Sequence, residues 1–369
     1  MMFVMLCHFG SGHTGIRLET LALIRDMLNA GISPVVPGHG SVGYLTLEGH
    51  IGMVMIGEGK ATYQGETLDG AEALKRAGLK PVVLSSKEGL ILLSGTTSVT
   101  AFASLAIYDA QTLSLTADIA GSFTLEVLKG TLMAMDERLM AVRPHPDQIN
   151  TAANIRAILK DSPMLERYRG HRVQDALSIR CMPQLHGPVK KAIKDAQATL
   201  AIELNSSVDN PLSRIDRLLN SLVSELPAFL NKNADFNNGL MMIQYASAGL
   251  QGELRILAHP AVVDNLTTCA NQEDYVNMGY NAAKKAYDSM HLAKYILAAE
   301  LICDGQALDC YDDKRCAKGT QAIYDLLRSK VPEMDNDMPL TPYLEAVAQQ
   351  IIDRAYIRTV EASVGALKF

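Results

Sequence analysis

Apolar positions along the chain change character near residue 98. Before that point they come in short, irregular bursts. The opening MMFVMLCHFGSGH and the residues up to 30 predict one or two helices broken near Gly10–Gly15. A start this apolar, with no capping residue, reads as a chain that begins in mid-helix. Residues 31–60 carry Pro34, Pro37 and repeated glycines, which predict loops and short irregular elements. Within 61–97, ATYQGETL predicts a small hairpin and AEALKRAG a short helix.

From residue 98 onward the spacing is that of long helices. In LEVLKGTLMAMDERL, Leu125, Leu128, Leu132 and Leu139 recur at helical intervals. Val189, Ile193, Ala196, Leu200 and Leu204 do the same, with Lys190, Lys191 and Lys194 expected on the opposite, wet face. Ile215, Leu218, Leu219, Leu222 and Leu226 form another stripe, and 240–259, 276–309 and 341–356 repeat the theme. No Ser/Gly linker, low-complexity tract or internal repeat separates these parts. The pattern predicts an all-α chain with one structural domain, a Gly-rich N-terminal region over 1–97 and a helical bundle over 98–369. Helices this apolar pack on several neighbours, which points to a homo-oligomer.

Composition narrows the picture. Of 369 residues, 48% are hydrophobic and 20% charged, with 17 Met and no Trp, the profile of an ordinary soluble globular protein rich in helix formers. The net charge of −6, with no Lys/Arg stripe, argues against nucleic acid as a partner. Cys7, Cys181, Cys269, Cys303, Cys310 and Cys316 form no C-x-x-C pair, which suggests reduced thiols, a cytoplasmic home and no metal site. The N-terminus lacks the basic flank and cleavage site of a signal peptide. No window reaches the roughly 18 apolar residues of a membrane span, so no membrane partner is expected.

Several runs are more specific than composition. They are GHTGIRLE (12–19), GSVG (40–43) with IGEG (56–59), KEGLILLSGT (87–96), RPHPDQ (143–148) and NIR (154–156). Further along come VQDALSIRCMPQLHG (173–187), ELNSSVDNPL (203–212), NNGLMMIQ (237–244), LAHPAVVD (257–264) and NQEDYVNMG (271–279). In this order, over nearly the whole chain, they resemble the aromatic amino-acid ammonia-lyases, the histidine ammonia-lyases in particular. The resemblance implies the all-α fold of the fumarase/aspartase-like superfamily. It also implies a homotetramer whose active sites draw on more than one subunit.

The departures from the family pattern bear on chemistry. In the family an Ala-Ser-Gly triplet directly after GSVG cyclises into a methylidene-imidazolone ring, the electrophile that captures the substrate amine. Here Gly43 is followed by Tyr44-Leu45-Thr46, so no such ring and no other cofactor is expected. The nearest string, Ala246-Ser247-Ala248-Gly249, lies in an apolar helical stretch and lacks glycine in third place. The family's N-terminal portion, with its mobile catalytic-tyrosine loop and H-x-C-G-x-G stretch, has no counterpart before Met1. A few dozen family residues, the G-N-F-H-G segment among them, have no counterpart between DNPL (209–212) and SRIDRL (213–218). Ser94 stands where the family has Asn, and Leu177 where it has Tyr.

By the same resemblance, Glu273 would meet an imidazole or act as a base, against the plainer reading of a carboxylate pairing between helices. Arg180 would clamp the substrate carboxylate with its planar fork, or else bridge two helices. Gln174 and Gln272 match polar contacts of the family, though buried amides often only knit backbone together. Tyr44 stands where the ring should begin, as a replacement acid/base, an aromatic wall for a cationic nitrogen, or filler in a shortened loop. Ser94 would hydrogen-bond the substrate or simply serve its loop. His50 and His259 read as structural histidines, residues 237–244 as Met-rich core, and Asp312-Asp313-Lys314-Arg315 as a solvated turn.

Losing ammonia from an amino acid needs a base for the β-hydrogen and activation of the nitrogen. A quaternary ammonium has no lone pair for an electrophile and already leaves as a neutral amine. The expectation is therefore a carbon–nitrogen lyase acting on histidine or a histidine-like amino acid or betaine, in the manner of ergothionase. Two alternatives stay open: a non-catalytic or regulatory paralogue, and a gapped version of a longer active enzyme.

Overall fold

The computed structural model describes residues 1–10, 14–41, 47–200, 211–231, 237–261 and 278–369. Glu273, Gln272 and Tyr44 lie outside the described residues. The chain divides into two compact units, one from Met1–Leu105 and Pro260–Tyr287, the other from Ala106–Ala201, Asn205–His259 and Asp288–Phe369.

In the first unit, α1 (Met2–Gly10) and α2 (Leu18–Ala30) pack together. Helix α2 stops at Gly31, which turns left-handed at φ 75° so that its N–H and that of Ile32 satisfy the last carbonyls. Strand β1 (Ser33–Pro34) follows, then α3 (Leu47–Met55), β2 (Lys60–Tyr63), β3 (Glu66–Asp69), α4 (Gly70–Arg76), α5 (Glu88–Leu93) and the start of α6 (Thr97–Val127). Strands β2 and β3 form the hairpin that ATYQGETL predicts, with Tyr63 opposite Glu66. Its two-residue turn, Gln64-Gly65, has both φ angles positive, the geometry that matches strand twist. The span 31–60 is more regular than its glycines suggest, because α3 occupies nine of its residues and β1 adds a third strand to the sheet. Met5, Ile24, Met27, Ile51, Val54, Met55 and Leu74 make the core.

Two of the quoted runs meet in this unit. The buried Glu88 of KEGLILLSGT accepts from Arg17 of GHTGIRLE at Nε (3.0 Å) and Nη2 (2.6 Å), and from the Thr20 hydroxyl (2.7 Å). The Arg17 hydrogen bonds, opposed by burial and aided by the Ser85 N–H, hold its carboxyl at about 2.

The second unit contains the rest of α6 and, in order, α7 (Glu137–Val142), α8 (Pro146–Ile158), α9 (Pro163–Arg167), α10 (Leu177–Arg180) and α11 (Met182–Leu200). After these come α12 (Pro211–Leu219), α13 (Ser221–Ser224), α14 (Met241–Leu257), α15 (Gly279–Asp309), α16 (Lys318–Arg328), α17 (Thr341–Ile352) and α18 (Ala355–Val364). Helix α8 packs along α11, and α16 along α18. Among the described residues, no helix is long and apolar enough to cross a membrane.

Three stripes differ from expectation. The one over 125–139 is not a single helix, because α6 ends at Val127 with Lys129 left-handed at φ 57°. A 3-10 turn then covers Leu132–Met135, and Asp136 caps the Arg138 N–H at 2.8 Å to start α7. Leu222 is 93% exposed, since the stripe from Ile215 breaks at Asn220, which caps α13. Lys190, expected on a wet face, is 0% exposed.

Lys190 is buried because it belongs to a charged network in the core of this unit. Asp118, on α6, accepts from Lys190 Nζ (2.5 Å), Asn154 Nδ2 (2.8 Å) and the His186 ring at Nδ1 (2.8 Å). Burial alone would raise the Asp118 pKa, but the Lys190 charge and the His186 hydrogen bond hold it below the usual range. Burial lowers the His186 pKa despite Asp118, so the ring is neutral. Nδ1–H then faces the carboxylate, and bare Nε2 accepts from Arg214 Nη1 at 3.4 Å. Arg214 grips Glu300 through Nε and, at 3.0 Å, Nη2. The Thr124 hydroxyl reaches Glu300 (3.1 Å) and Asp304 (2.8 Å). Burial and the Glu300 charge push the Asp304 pKa well above the ordinary value.

The last residues seal one end of the network. Asn154 Nδ2 donates to the Lys368 carbonyl (2.8 Å) while Oδ1 accepts the Lys368 N–H (2.8 Å). Lys194 Nζ reaches the Phe369 carbonyl at 2.9 Å.

Arg214→Ala strands the Glu300 carboxylate in the core and is expected to cost about 3–5 kcal/mol, read as a fall in the urea midpoint. Asp304 keeps its proton in the folded chain at pH values where the unfolded chain has lost it. Its contribution to stability is therefore complete below about pH 4 and declines as pH rises toward its raised pKa. Asp304→Asn needs no proton, so urea midpoints measured from pH 5 to 9 should fall less steeply with pH than in the parent.

Candidate active site

Of the candidate residues, Arg180, Gln174 and Ser94 are described. Arg180 closes the single turn of α10, its N–H donating to the Ala176 carbonyl at 2.9 Å. The residue is half-buried, and its Nε is a buried donor with no hydrogen-bond acceptor. It borders a cavity of about 300 Å³ with Arg143, Gln148, Cys181 and Gln184. Leu139 and Val142, on the same cavity, are 55% and 77% exposed. An unpaired buried guanidinium nitrogen is costly to keep, and a carboxylate is the ligand whose geometry matches its fork.

Gln174 is exposed, on the segment leading into α10. Its neighbour Asp175 is buried and accepts the Thr131 N–H at 2.8 Å, with its pKa raised by burial. The structure thus places Gln174 and Arg180 in one stretch of the second unit.

Ser94 belongs to the first unit, where it caps α5 with its N–H on the Leu90 carbonyl at 2.9 Å. Helices α3 and α5 pack closely, since a Cβ at Gly49 would stand 2.7 Å from Leu93 Cδ1. That packing brings Glu48, the second residue of α3, to the α5–α6 turn, where its Oε1 accepts the Ser98 N–H at 2.7 Å. Sequence reasoning missed Glu48. The available signal was a lone acid in an otherwise apolar stretch between GSVG and IGEG.

The residues present do not fit the family's ring. No Ala-Ser-Gly follows Gly43, and Ala246–Gly249 lies inside α14, a regular helix with Ser247 buried. Among the described residues, no group of three or more His, Cys, Asp or Glu is placed to hold a metal ion.

Comparison with known proteins gives these features a setting. The family model for aromatic amino acid lyases matches residues 1–214 and 212–329. Histidine ammonia-lyase of Alkaliphilus oremlandii is 39% identical over 394 aligned positions, spanning 96% of this chain and 78% of the relative. The enzyme of the same name from Myxococcus xanthus is 41% identical, spanning 92% and 75%. Among solved structures, histidine ammonia-lyase from Trypanosoma cruzi superposes with a TM-score of 0.90 at 30% identity, covering 98% of this chain and 77% of that one. Ergothionase from Treponema denticola, described as an ergothioneine degrading enzyme, superposes with a TM-score of 0.87 at 25% identity, covering 96% and 80%. With the family model matched over most of its length and relatives near 40% identity, the chain belongs to the aromatic amino acid lyase family.

Proposed function

We propose that the protein is a carbon–nitrogen lyase that eliminates an amine from a histidine-like substrate to give a urocanate-type product, without a methylidene-imidazolone. The observation that carries this is the sequence Gly43-Tyr44-Leu45-Thr46 in a chain related to histidine ammonia-lyases. A trimethylammonium leaving group suits such a site best. A base removes the β-proton, the C–H electrons become the Cα=Cβ bond, and the C–N electrons depart with neutral trimethylamine. No lone pair on nitrogen is available for a ring to capture, so none is needed.

In this reading Arg180 holds the substrate carboxylate, which supplies the acceptor that its buried Nε lacks. Glu273 contacts the imidazole or serves as base, and Tyr44 is the replacement acid/base or an aromatic wall against the cation. Gln174, Gln272 and Ser94 position the substrate. The working form is a cytoplasmic homotetramer, and the exposed Leu139 and Val142 beside the Arg180 cavity support covering by a second subunit.

A second reading is a non-catalytic paralogue or a gapped version of a longer lyase. It is favoured by the family match, which restarts at residue 212 after running to 214. It is favoured also by an alignment of 411 positions against a chain of 369 residues, in which the relative has segments that this chain skips.

Purified protein mixed separately with histidine and with ergothioneine decides between them. The expected result is growth of thiourocanate absorbance and release of trimethylamine from ergothioneine, with little urocanate from histidine. Flat traces on both substrates would leave the non-catalytic reading standing. Rapid urocanate release from histidine would remove the betaine preference. Arg180→Ala is expected to lower kcat/KM by about 10–100-fold, the worth of a charge-assisted hydrogen bond. Arg180→Lys should restore only part of it, because an ammonium cannot grip a carboxylate in two places.

A further inference from the structure

The cavity beside Arg180 carries more positive charge than a single carboxylate clamp accounts for. Two guanidinium groups, Arg143 and Arg180, and two primary amides, Gln148 and Gln184, line it, with no Asp or Glu among its described lining residues. Among the described residues, neither arginine side chain has a hydrogen bond or an ion pair, and the Arg180 Nε is buried. The acids nearest in sequence are already paired elsewhere. Asp136, which caps α7, holds Arg138 at 2.7 Å, and Glu137 holds Arg156 at 2.8 Å. Asp147 of α8 is paired with Lys194, and Asp175 accepts the Thr131 N–H.

Local structure sets these donors around one space. Arg143 directly follows α7 and precedes Pro144-His145-Pro146, where Pro146 is the first residue of α8. The prolines fix φ on either side of His145, whose N–H donates to the Arg143 carbonyl at 2.8 Å. The backbone at Arg143 is thus held, and its exposed side chain is the part that can swing. Gln148 is 7% exposed, and its Nε2 meets only the Met140 Sδ at 3.5 Å, a weak acceptor. Gln148 and Gln184 belong to the first turns of α8 and α11, so the positive ends of two helix dipoles add to the potential. Two like charges on one small space repel, and an oxyanion relieves that repulsion while giving both forks acceptors. A carboxylate offers about four acceptor sites, enough for two guanidinium groups at once.

We propose that Arg143 is a second substrate-binding residue, an arm that swings onto the carboxylate held by Arg180 and, with it, selects substrates whose carboxylate is free. This rests on the lyase reading above, in which Arg180 takes that group. Arg143 makes and breaks no covalent bond, and its charge does not change over the working pH range.

Imidazolepropionate, the histidine skeleton without its amine, is a probe that has no amine to lose. Its binding to the intact protein is measured by calorimetry for the parent, Arg143→Ala, Arg143→Lys and Arg143→Glu, with sulfate as a second ligand. The Kd is expected to rise about 5–20-fold in Arg143→Ala, the loss of a charge-assisted bond partly screened by solvent. Arg143→Lys should regain part of this, and Arg143→Glu should bind more weakly still. Arg143 is exposed and pairs with nothing among the described residues, so its variants should unfold at the parent's temperature. Arg138→Ala, which removes an exposed arginine of α7 that does not line the cavity, should bind like the parent. An unchanged Kd in Arg143→Ala, an equal loss in Arg138→Ala, or no binding by the parent overturns the proposal. Sulfate bound as tightly as the probe through the same two arginines also overturns it, since the cavity would then be a free-anion site. Histidine and ergothioneine turnover are measured in parallel. Arg143-dependent binding without turnover would sink the lyase reading and spare the carboxylate site. Turnover with an unchanged kcat/KM in Arg143→Ala would do the reverse.

Discussion

The second unit is organised around a network of charged and polar side chains buried away from solvent. Arg214, Glu300, His186, Asp118 and Lys190 are all buried, and each draws its compensation from a different helix or a different part of the chain. Long apolar stripes would let helices slide or rotate against each other at little cost. A charge in a low-dielectric core does not, because a small displacement leaves it unpaired at a cost of several kcal/mol. The packing of α6, α11, α12 and α15 in this unit is thereby restricted to the arrangement in which the chain of contacts closes. The neutral His186 is the joint, since only one tautomer can both donate to Asp118 and accept from Arg214.

The two units keep unpaired polar groups in different ways. In the second, the buried Nε of Arg180 borders a cavity large enough for a small molecule, so its missing partner has room. In the first, one oxygen of Glu48 is a buried orphan while the other accepts the Ser98 N–H at the start of α6.

Local pattern made much of the fold legible. ATYQGETL and AEALKRAG form the hairpin and helix that their alternation and spacing imply, and α14 and α15 fall close to the periods read over 240–259 and 276–309. What pattern could not show depended on partners far along the chain. Lys190 looks like a surface lysine until Asp118, on another helix, is placed beside it. Glu48 looks like a stray acid until the start of α6 is brought against it. The stripe from Leu125 to Leu139 misled because apolar spacing persists through a left-handed residue at Lys129 that ends the helix. For the site, motif resemblance singled out Arg180, which does present a buried, unsatisfied donor. It also named Gln174, as a substrate contact or a structural amide, and that side chain is exposed.

Asn154 holds the segment near Phe369 by bonding both the N–H and the carbonyl of Lys368, as a neighbouring strand would. Such a grip recognises the peptide unit and ignores what hangs from it. Position 368 is consequently free to drift among nearly all residue types while the seal over Asp118 and Lys190 persists. Proline is the exception, because it has no amide hydrogen to offer.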